Sequence, residues 1–224
     1  EYTNAVYGFA TMFNRVLAQE KPQRVAVCFD KSRHTFRTEL YAEYKGQRAA
    51  TPSELSPQFE SCKALLEAMG VVWEEAEGFE ADDIIGTLSR LGAAEQNEVL
   101  ILTGDRDSFQ LIGENVRVMM TRKGISQTEI WDEAALLEHY ALTPAQMIDL
   151  KALMGDASDN IPGVAGVGEK TALKLLAEYH DLDTVLANTA NVSGKALRAK
   201  LENGRESALL ARRLAIIDCH MSGY

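Results

Sequence analysis

Eight carboxylates stand in four short groups along the 224-residue chain: Asp30; Glu80, Asp82 and Asp83; Asp105 and Asp107; Asp156 and Asp159. Taken singly, each has an ordinary explanation. A carboxylate just after an apolar strand is often only a turn or cap residue, and acids in a helix's first turn offset the macrodipole. Their joint occurrence points further, because groups at the strand ends and helix starts of one α/β sheet converge on a single rim. Carboxylates crowded there repel unless cations neutralise them. Hard oxygen ligands of this kind suit magnesium or manganese. An EF-hand beginning at Asp105 fails, since its sixth and twelfth positions are Gln110 and Val116 where Gly and Glu are needed. A haloacid-type phosphatase fits poorly, because Asp105-Arg106-Asp107-Ser108-Phe109 lies on a later strand than the first. Neither a metal-spaced pair among His34, His139, His180 and His220 nor a Gly-x-Ser-x-Gly elbow is present.

The net charge of −10 at first disfavours a nucleic-acid partner. Removing the eight grouped acids leaves only −2, and the cations cluster as well. Lys31, Arg33, Arg37, Lys45 and Arg48 outnumber Glu39 and Glu43, and a second basic run follows from Lys195 to Arg213. Arg37, Tyr41, Tyr44, Lys45 and Arg48 interleave cations with rings, the composition of a channel for unpaired nucleic acid; a solvated helix face is the plainer reading. Gly163, Gly166 and Gly168, followed by Lys170 and Thr171, nearly form a P-loop, but Glu169 interrupts it and no strand precedes it. A glycine hairpin at 160–171 between two helices fits better. Its backbone N–H groups and the following helix N-terminus could cradle a phosphate, although a plain turn between packed helices has the same composition.

These residues need a frame. Apolar spacing predicts a helix over 3–20 capped by Thr3 or Asn4, a buried strand over 25–29 ending at Asp30, a helix over 54–69, a strand at 71–73 and a helix opening at Glu80. A further strand at 99–102 runs into Asp105, and two more are expected at 116–120 and 126–131 around a turn at Lys123-Gly124. Strand and helix alternate, which predicts an α/β fold with a parallel central sheet and helices on both faces. Residues 31–52 break the pattern and look mobile or solvent-facing. Thr143-Pro144-Ala145-Gln146 opens a helix running to Gly155, and helical segments follow near 169–179, 181–188, 194–203 and 205–217. We expect an α/β part over 1–140 and a helical part over 141–224. Cys28, Cys62 and Cys219 make no metal or disulfide pattern, no apolar run suits a membrane, and a cytoplasmic chain is expected. The opening Glu1-Tyr2-Thr3 suggests a piece of something longer.

Gly78-Phe79-Glu80-Ala81-Asp82-Asp83, Thr103-Gly104-Asp105-Arg106-Asp107 and residues 154–164, Met-Gly-Asp-Ala-Ser-Asp-Asn-Ile-Pro-Gly-Val, resemble the signatures of the 5′-nuclease domains of bacterial DNA polymerases I. The resemblance spans essentially the whole chain. It implies a structure-specific 5′-3′ exonuclease and flap endonuclease that removes RNA primers and displaced 5′ strands in replication and repair. It implies two divalent ions, held directly or through water by Asp30, Glu80, Asp82, Asp83, Asp105, Asp107, Asp156 and Asp159. It makes residues 31–52 a helical arch, with Lys45 and Arg48 near the scissile phosphate, and the glycine hairpin a helix-two-turn-helix where K+ helps hold duplex backbone. The partners implied are branched or nicked duplex DNA and a polymerase domain in the same full-length chain, on a monomeric protein of the bacterial nucleoid. The family also carries an earlier strand with a metal-binding aspartate, so the strands at 25–29 and 99–102 would lack a neighbour, and weakened cleavage is expected. A non-cleaving branched-DNA-binding module and a related metal-dependent ribonuclease are the alternatives.

Overall fold

A computed structural model describes residues 2–121 and 128–224. In chain order the elements are α1 (Asn4–Glu20), β1 (Ala26–Cys28), α2 (Phe36–Leu40), α3 (Ser56–Ala68), β2 (Val72–Glu74), α4 (Ala81–Ala94), β3 (Val99–Thr103), β4 (Val116–Thr121), β5 (Thr128–Trp131), α5 (Glu133–Tyr140), α6 (Pro144–Met154), α7 (Glu169–Tyr179), α8 (Leu182–Ala187), α9 (Lys195–Asn203) and α10 (Arg205–Ala215). A 3₁₀ helix, Arg106–Leu111, follows β3. The expected turn at Lys123-Gly124, with Ser126, lies outside the described residues.

β1 pairs in parallel with β2, and β3 in parallel with β4, as the alternating pattern required; β5 closes antiparallel onto β4. The described strands form two hydrogen-bonded sheets, ordered β1-β2 and β3-β4-β5. One helix bridges them, since α4 packs on both β1 and β3. Its apolar face buries Ile84 completely, and Gly86 sits where a Cβ would come 2.7 Å from the Ile217 side chain. The larger sheet has its own core of Ile101, Phe109, Val118, Trp131 and Leu136.

The second core belongs to the helical part, where Leu153, Leu176, Leu182, Leu201 and Leu214 are almost wholly buried. α6 starts as expected, with the Thr143 hydroxyl accepting from the Gln146 N–H and the Gln146 side chain answering the Thr143 N–H. Thr3 stands at the N-cap of α1, as expected, but not through its side chain. The Thr3 side chain makes no cap bond, and the side-chain Oε1 of Gln58 on α3 instead accepts from the Ala5 N–H at 2.7 Å. An orphan N–H at a helix start takes any acceptor in reach, here one from a packed neighbour.

The segment 31–52 is not free along its length. Only Phe36–Leu40 is helical, and Thr35, Arg37 and Tyr44 are buried. Tyr44 belongs to the helical core, so one end of the expected arch is anchored while residues 46–52 stay exposed.

The tightest backbone approach joins the end of α6 to the hairpin. Gly155 and Gly163 both have positive φ, 72° and 53°, and a Cβ on Gly163 would fall 2.2 Å from the Gly155 nitrogen. No rotamer relieves a clash between main chains. Gly163→Ala should therefore lower the melting temperature by about 6–12 °C, corresponding to roughly 3 kcal/mol in a domain of this size, as read by differential scanning calorimetry; an unchanged melting temperature would contradict this packing.

Candidate active site

Three loops and one helix start bring carboxylates to a common rim. Glu80 is the N-cap of α4 and Asp82 lies in its first turn; Asp105 caps the 3₁₀ helix after β3, its side chain accepting from the Asp107 N–H at 2.9 Å. Asp156 and Asp159 come from the turn after α6, where the Asp156 carboxylate takes both the N–H and the hydroxyl of Ser158. Oxygens of Asp107, Asp156 and Asp159 lie within 4.8 Å of one another. Asp30, after β1, accepts from the Ala81 N–H at 2.8 Å and so stands beside the start of α4.

Several of these acids are paired with cations. Lys45 reaches Glu80 at 2.7 Å, and Arg48 pairs with Asp159. Lys151 on α6 lies between Asp107 and Asp156, 2.7 Å from the latter. Its position was missed in the sequence. The one visible signal was a lone cation in the apolar run Leu150-Lys151-Ala152-Leu153-Met154. The loop carrying Lys45 and Arg48 is docked by its backbone: the Lys45 N–H donates to the Asp159 carbonyl at 2.9 Å, and Lys45 has a left-handed φ of 53°. A non-glycine residue held there is strained and persists only where its surroundings over-determine it.

Charge balance differs among the acids. Burial pushes the Asp82 carboxyl up to about 7, with Asp105 and Glu80 adding to it. Asp107 is also raised, burial outweighing its contact with Lys151. Burial acts on Asp156 as well, but Lys151 and Ser158 override it and hold that group down at about 2. The Lys151 ammonium is raised despite burial, because Asp107 and Asp156 both favour its charged form.

Three expected site residues fall elsewhere. Asp83 is fully buried, and both its oxygens are engaged within the protein: one accepts from Arg37 and the Asp218 N–H, the other from Arg37 and the Glu80 N–H. No lone pair faces a metal. Arg37 is 2% exposed and committed to Asp83, so it is unavailable to a phosphate. Tyr44 is buried with its hydroxyl donating to Glu80, which removes it as a stacking platform, while Tyr41 packs partly against the helical core. In the hairpin, Gly166, Gly168 and Lys170 are exposed and Thr171 is half-buried, but Gly163 is buried against Gly155. Lys200 donates to the Gly166 carbonyl at 3.0 Å, adding a cation at the hairpin.

The raised Asp82 carboxyl makes stability depend on pH. A carboxyl with a folded pKa near 7 against an unfolded value of 3.8 binds its proton more tightly when folded, so its stabilising contribution is present below about 4 and lost as pH rises through 7. Asp156 has the opposite sign. In chelator, Asp82→Asn should raise the melting temperature at pH 8 by about 3–8 °C and change it little at pH 4; Asp156→Asn should lower it at pH 7. Calorimetry of both variants at three pH values checks this, and a destabilising Asp82→Asn at pH 8 would refute the assignment.

Residues 1–141 match the family model described as 5′-3′ exonuclease, N-terminal resolvase-like domain, and residues 142–223 match 5′-3′ exonuclease, C-terminal SAM fold. DNA polymerase I of Bacillus caldotenax is 49% identical over 216 residues, covering 96% of this chain and 25% of the relative. That of Bacillus subtilis (strain 168) is 47% identical, covering 96% and 24%. The chain thus spans about a quarter of the length of the curated relatives it matches. Among solved structures, T5 5′-exonuclease with bound zinc has a TM-score of 0.79 at 24% identity, covering 94% of this chain and 80% of that one. With both parts of the chain matched in order, and the acidic rim assembled from strand ends and a helix start of the first part and the turn after α6 of the second, this chain belongs to the 5′-3′ exonuclease family.

Proposed function

We propose that the chain hydrolyses phosphodiester bonds of nucleic acid as a metal-dependent 5′-3′ exonuclease and 5′-flap endonuclease. The observation that carries this reading is the convergence of Asp82, Asp105, Asp107, Asp156 and Asp159 beside Lys45 and Arg48. An all-oxygen donor set suits a hard divalent cation, and the approach of Asp107, Asp156 and Asp159 within 4.8 Å fits one. Asp107, Asp156 and Asp159 would hold magnesium or manganese, and Glu80, Asp82, Asp105 and Asp30 would serve a second ion directly or through water. When bound, such ions lower the pKa of water and offset charge on the phosphoryl oxygens.

The remaining work falls to the chain's own side chains. Lys45 and Arg48, now turned onto Glu80 and Asp159, are the cations that a phosphate entering the rim would meet. Their N–H donors offset charge developing on the transferring phosphoryl group, a stabilisation made mainly in the transition state. Lys151 keeps Asp156 ionised and, bonded to both, holds Asp107 and Asp156 close together. The exposed amides of Gly166 and Gly168, with Lys170, Lys200 and the N-terminus of α7, offer a sequence-independent seat for duplex backbone. A K+ ion at the hairpin would compete with Lys200 for the Gly166 carbonyl.

This reading takes branched or nicked duplex DNA with a 5′ single strand or RNA primer as substrate. It places the chain at residues 1–140 and 141–224 as nuclease core and DNA-holding part. The match to a quarter of each DNA polymerase I supports a polymerase domain in the same full-length protein, acting as a monomer in the bacterial cytoplasm. Among the described residues no helix is long and apolar enough to cross a membrane.

A labelled 5′-flap duplex incubated with magnesium should be cut, and chelator should abolish cutting; matched RNA flaps separate a ribonuclease, and tight binding without cutting separates a non-cleaving module. Lys45→Ala and Arg48→Ala should each slow single-turnover cleavage by about 100-fold with duplex affinity within about threefold of wild type. Gly166→Asp, which sets a carboxylate against Lys200 and the backbone seat, should raise the duplex Kd by about tenfold with cleavage at saturation retained. Equal effects of both kinds of variant on both parameters would defeat this division of labour.

A further inference from the structure

Arg37 and Asp83, excluded above from phosphate and metal contact, make the most complete buried polar junction described in the chain. The guanidinium gives both terminal nitrogens to the two Asp83 oxygens at 2.8 Å, its Nε to the Leu214 carbonyl at 2.9 Å and a further N–H to the Ile216 carbonyl at 2.7 Å. The Asp83 carboxylate returns two bonds at 2.9 Å, from the Glu80 N–H and the Asp218 N–H. Three chain segments therefore meet on one ion pair: α2, the first turn of α4, and the end of α10 with the stretch that follows it.

That stretch is a strap. Leaving the helical part at Ala215, it runs back along α4, where Thr87 bonds to both Asp218 and Met221 and Arg90 donates to the Cys219 carbonyl. Gln110 of the 3₁₀ helix also holds it, bonding to Ala215 and Ile217. Stability alone does not require an ion pair at its head. Replacing a buried pair by apolar groups is often neutral or better. What the pair supplies is a fixed direction, because a planar fork bonded in this way tolerates little rotation. Downstream of it stand the Glu80 N–H, the Glu80 carboxylate 3.4 Å from Arg37, and Asp82 one residue before Asp83.

We propose that the buried Arg37–Asp83 pair is a positioning device for the acidic rim, locking the first turn of α4, and with it Glu80 and Asp82, to α2 and the strap. Arg37 and Asp83 touch neither substrate nor reacting atoms. They act through Glu80 and Asp82, as outer partners orient metal ligands elsewhere. The inference rests on the metal-binding reading above and names residues that would tune it.

The test titrates Mn2+ alone into the protein by calorimetry, records melting in chelator, and follows single-turnover flap cleavage. Arg37→Met/Asp83→Leu, which removes the pair without leaving a lone buried charge, should melt within a few degrees of wild type yet bind Mn2+ about 10–100-fold more weakly and cleave slower by a similar factor. Arg37→Lys keeps the charge but not the fork, and should lose about tenfold in Mn2+ affinity. Thr87→Val, which loosens the same strap one turn further along α4, should lower melting while leaving Mn2+ affinity within about twofold. Wild-type Mn2+ affinity in the double variant, or an equal loss of affinity in Thr87→Val, overturns the proposal; if the double variant does not fold, Arg37→Lys against Thr87→Val decides by the same criterion. A wild-type protein that binds Mn2+ but cuts no flap defeats the nuclease reading while the affinities still judge the pair; one that binds no Mn2+ defeats both.

Discussion

Electrostatic repulsion among carboxylates is the constraint around which this chain is built. Burial has pushed Asp82 up to about 7, while Asp107, Asp156 and Asp159 approach within 4.8 Å. Such a rim can fold without bound ions only if the protein supplies cations of its own. It does so with three cations from two places. Lys151 rises from α6, and Lys45 and Arg48 lean in from the loop after α2, which is docked on the turn holding Asp159.

The same constraint explains the strained loop. Lys45 takes a left-handed conformation, and Asn160 opposite it does likewise while donating to the Glu43 carbonyl. These two residues join the basic segment to the carboxylate turn, so the cations stand where the acids need them. A rim whose balance depends on side chains that can turn away is suited to exchange those cations for others. Lys45 and Arg48, 24% and 49% exposed, are freer to leave than Lys151 at 14%.

Mechanical integrity comes from elsewhere. The described strands form two separate ladders, and α4 spans both. That helix also carries two of the rim acids at its first turn. Its outer length is bound by the strap after α10, and its start by the Arg37–Asp83 pair, so the helical part reaches across to the helix that orients the rim. The two cores meet through Tyr140 and Met147, which pack against both, and are tied further by polar bonds along α4; Tyr44, buried in one of them, bonds to Glu80 at the rim.

Local chemistry made much of this legible in the amino-acid order. Apolar runs closed by Asp30 and Asp105, the capping box at Thr143, and the helix over 169–179 are set by interactions within a few residues, which spacing records directly. Asp30, Asp105 and the acids opening α4 were legible as one site because strand ends of an α/β fold share a rim, whereas Asp156 and Asp159 reach it from the turn after α6. What tertiary structure decided was the job of each charge. Asp83 follows Asp82 and reads as its equal, yet it takes its partners from Arg37, 46 residues away, and Asp218, 135 residues away. Arg37 and Tyr44 read as free cation and ring but are buried by α4, the strap and the helical core. Lys151 read as a helix residue and became the counter-ion of Asp107, 44 residues distant. A side chain's type and local spacing determine what it can bond; which partner reaches it first, and whether water remains, depends on segments the local pattern does not see.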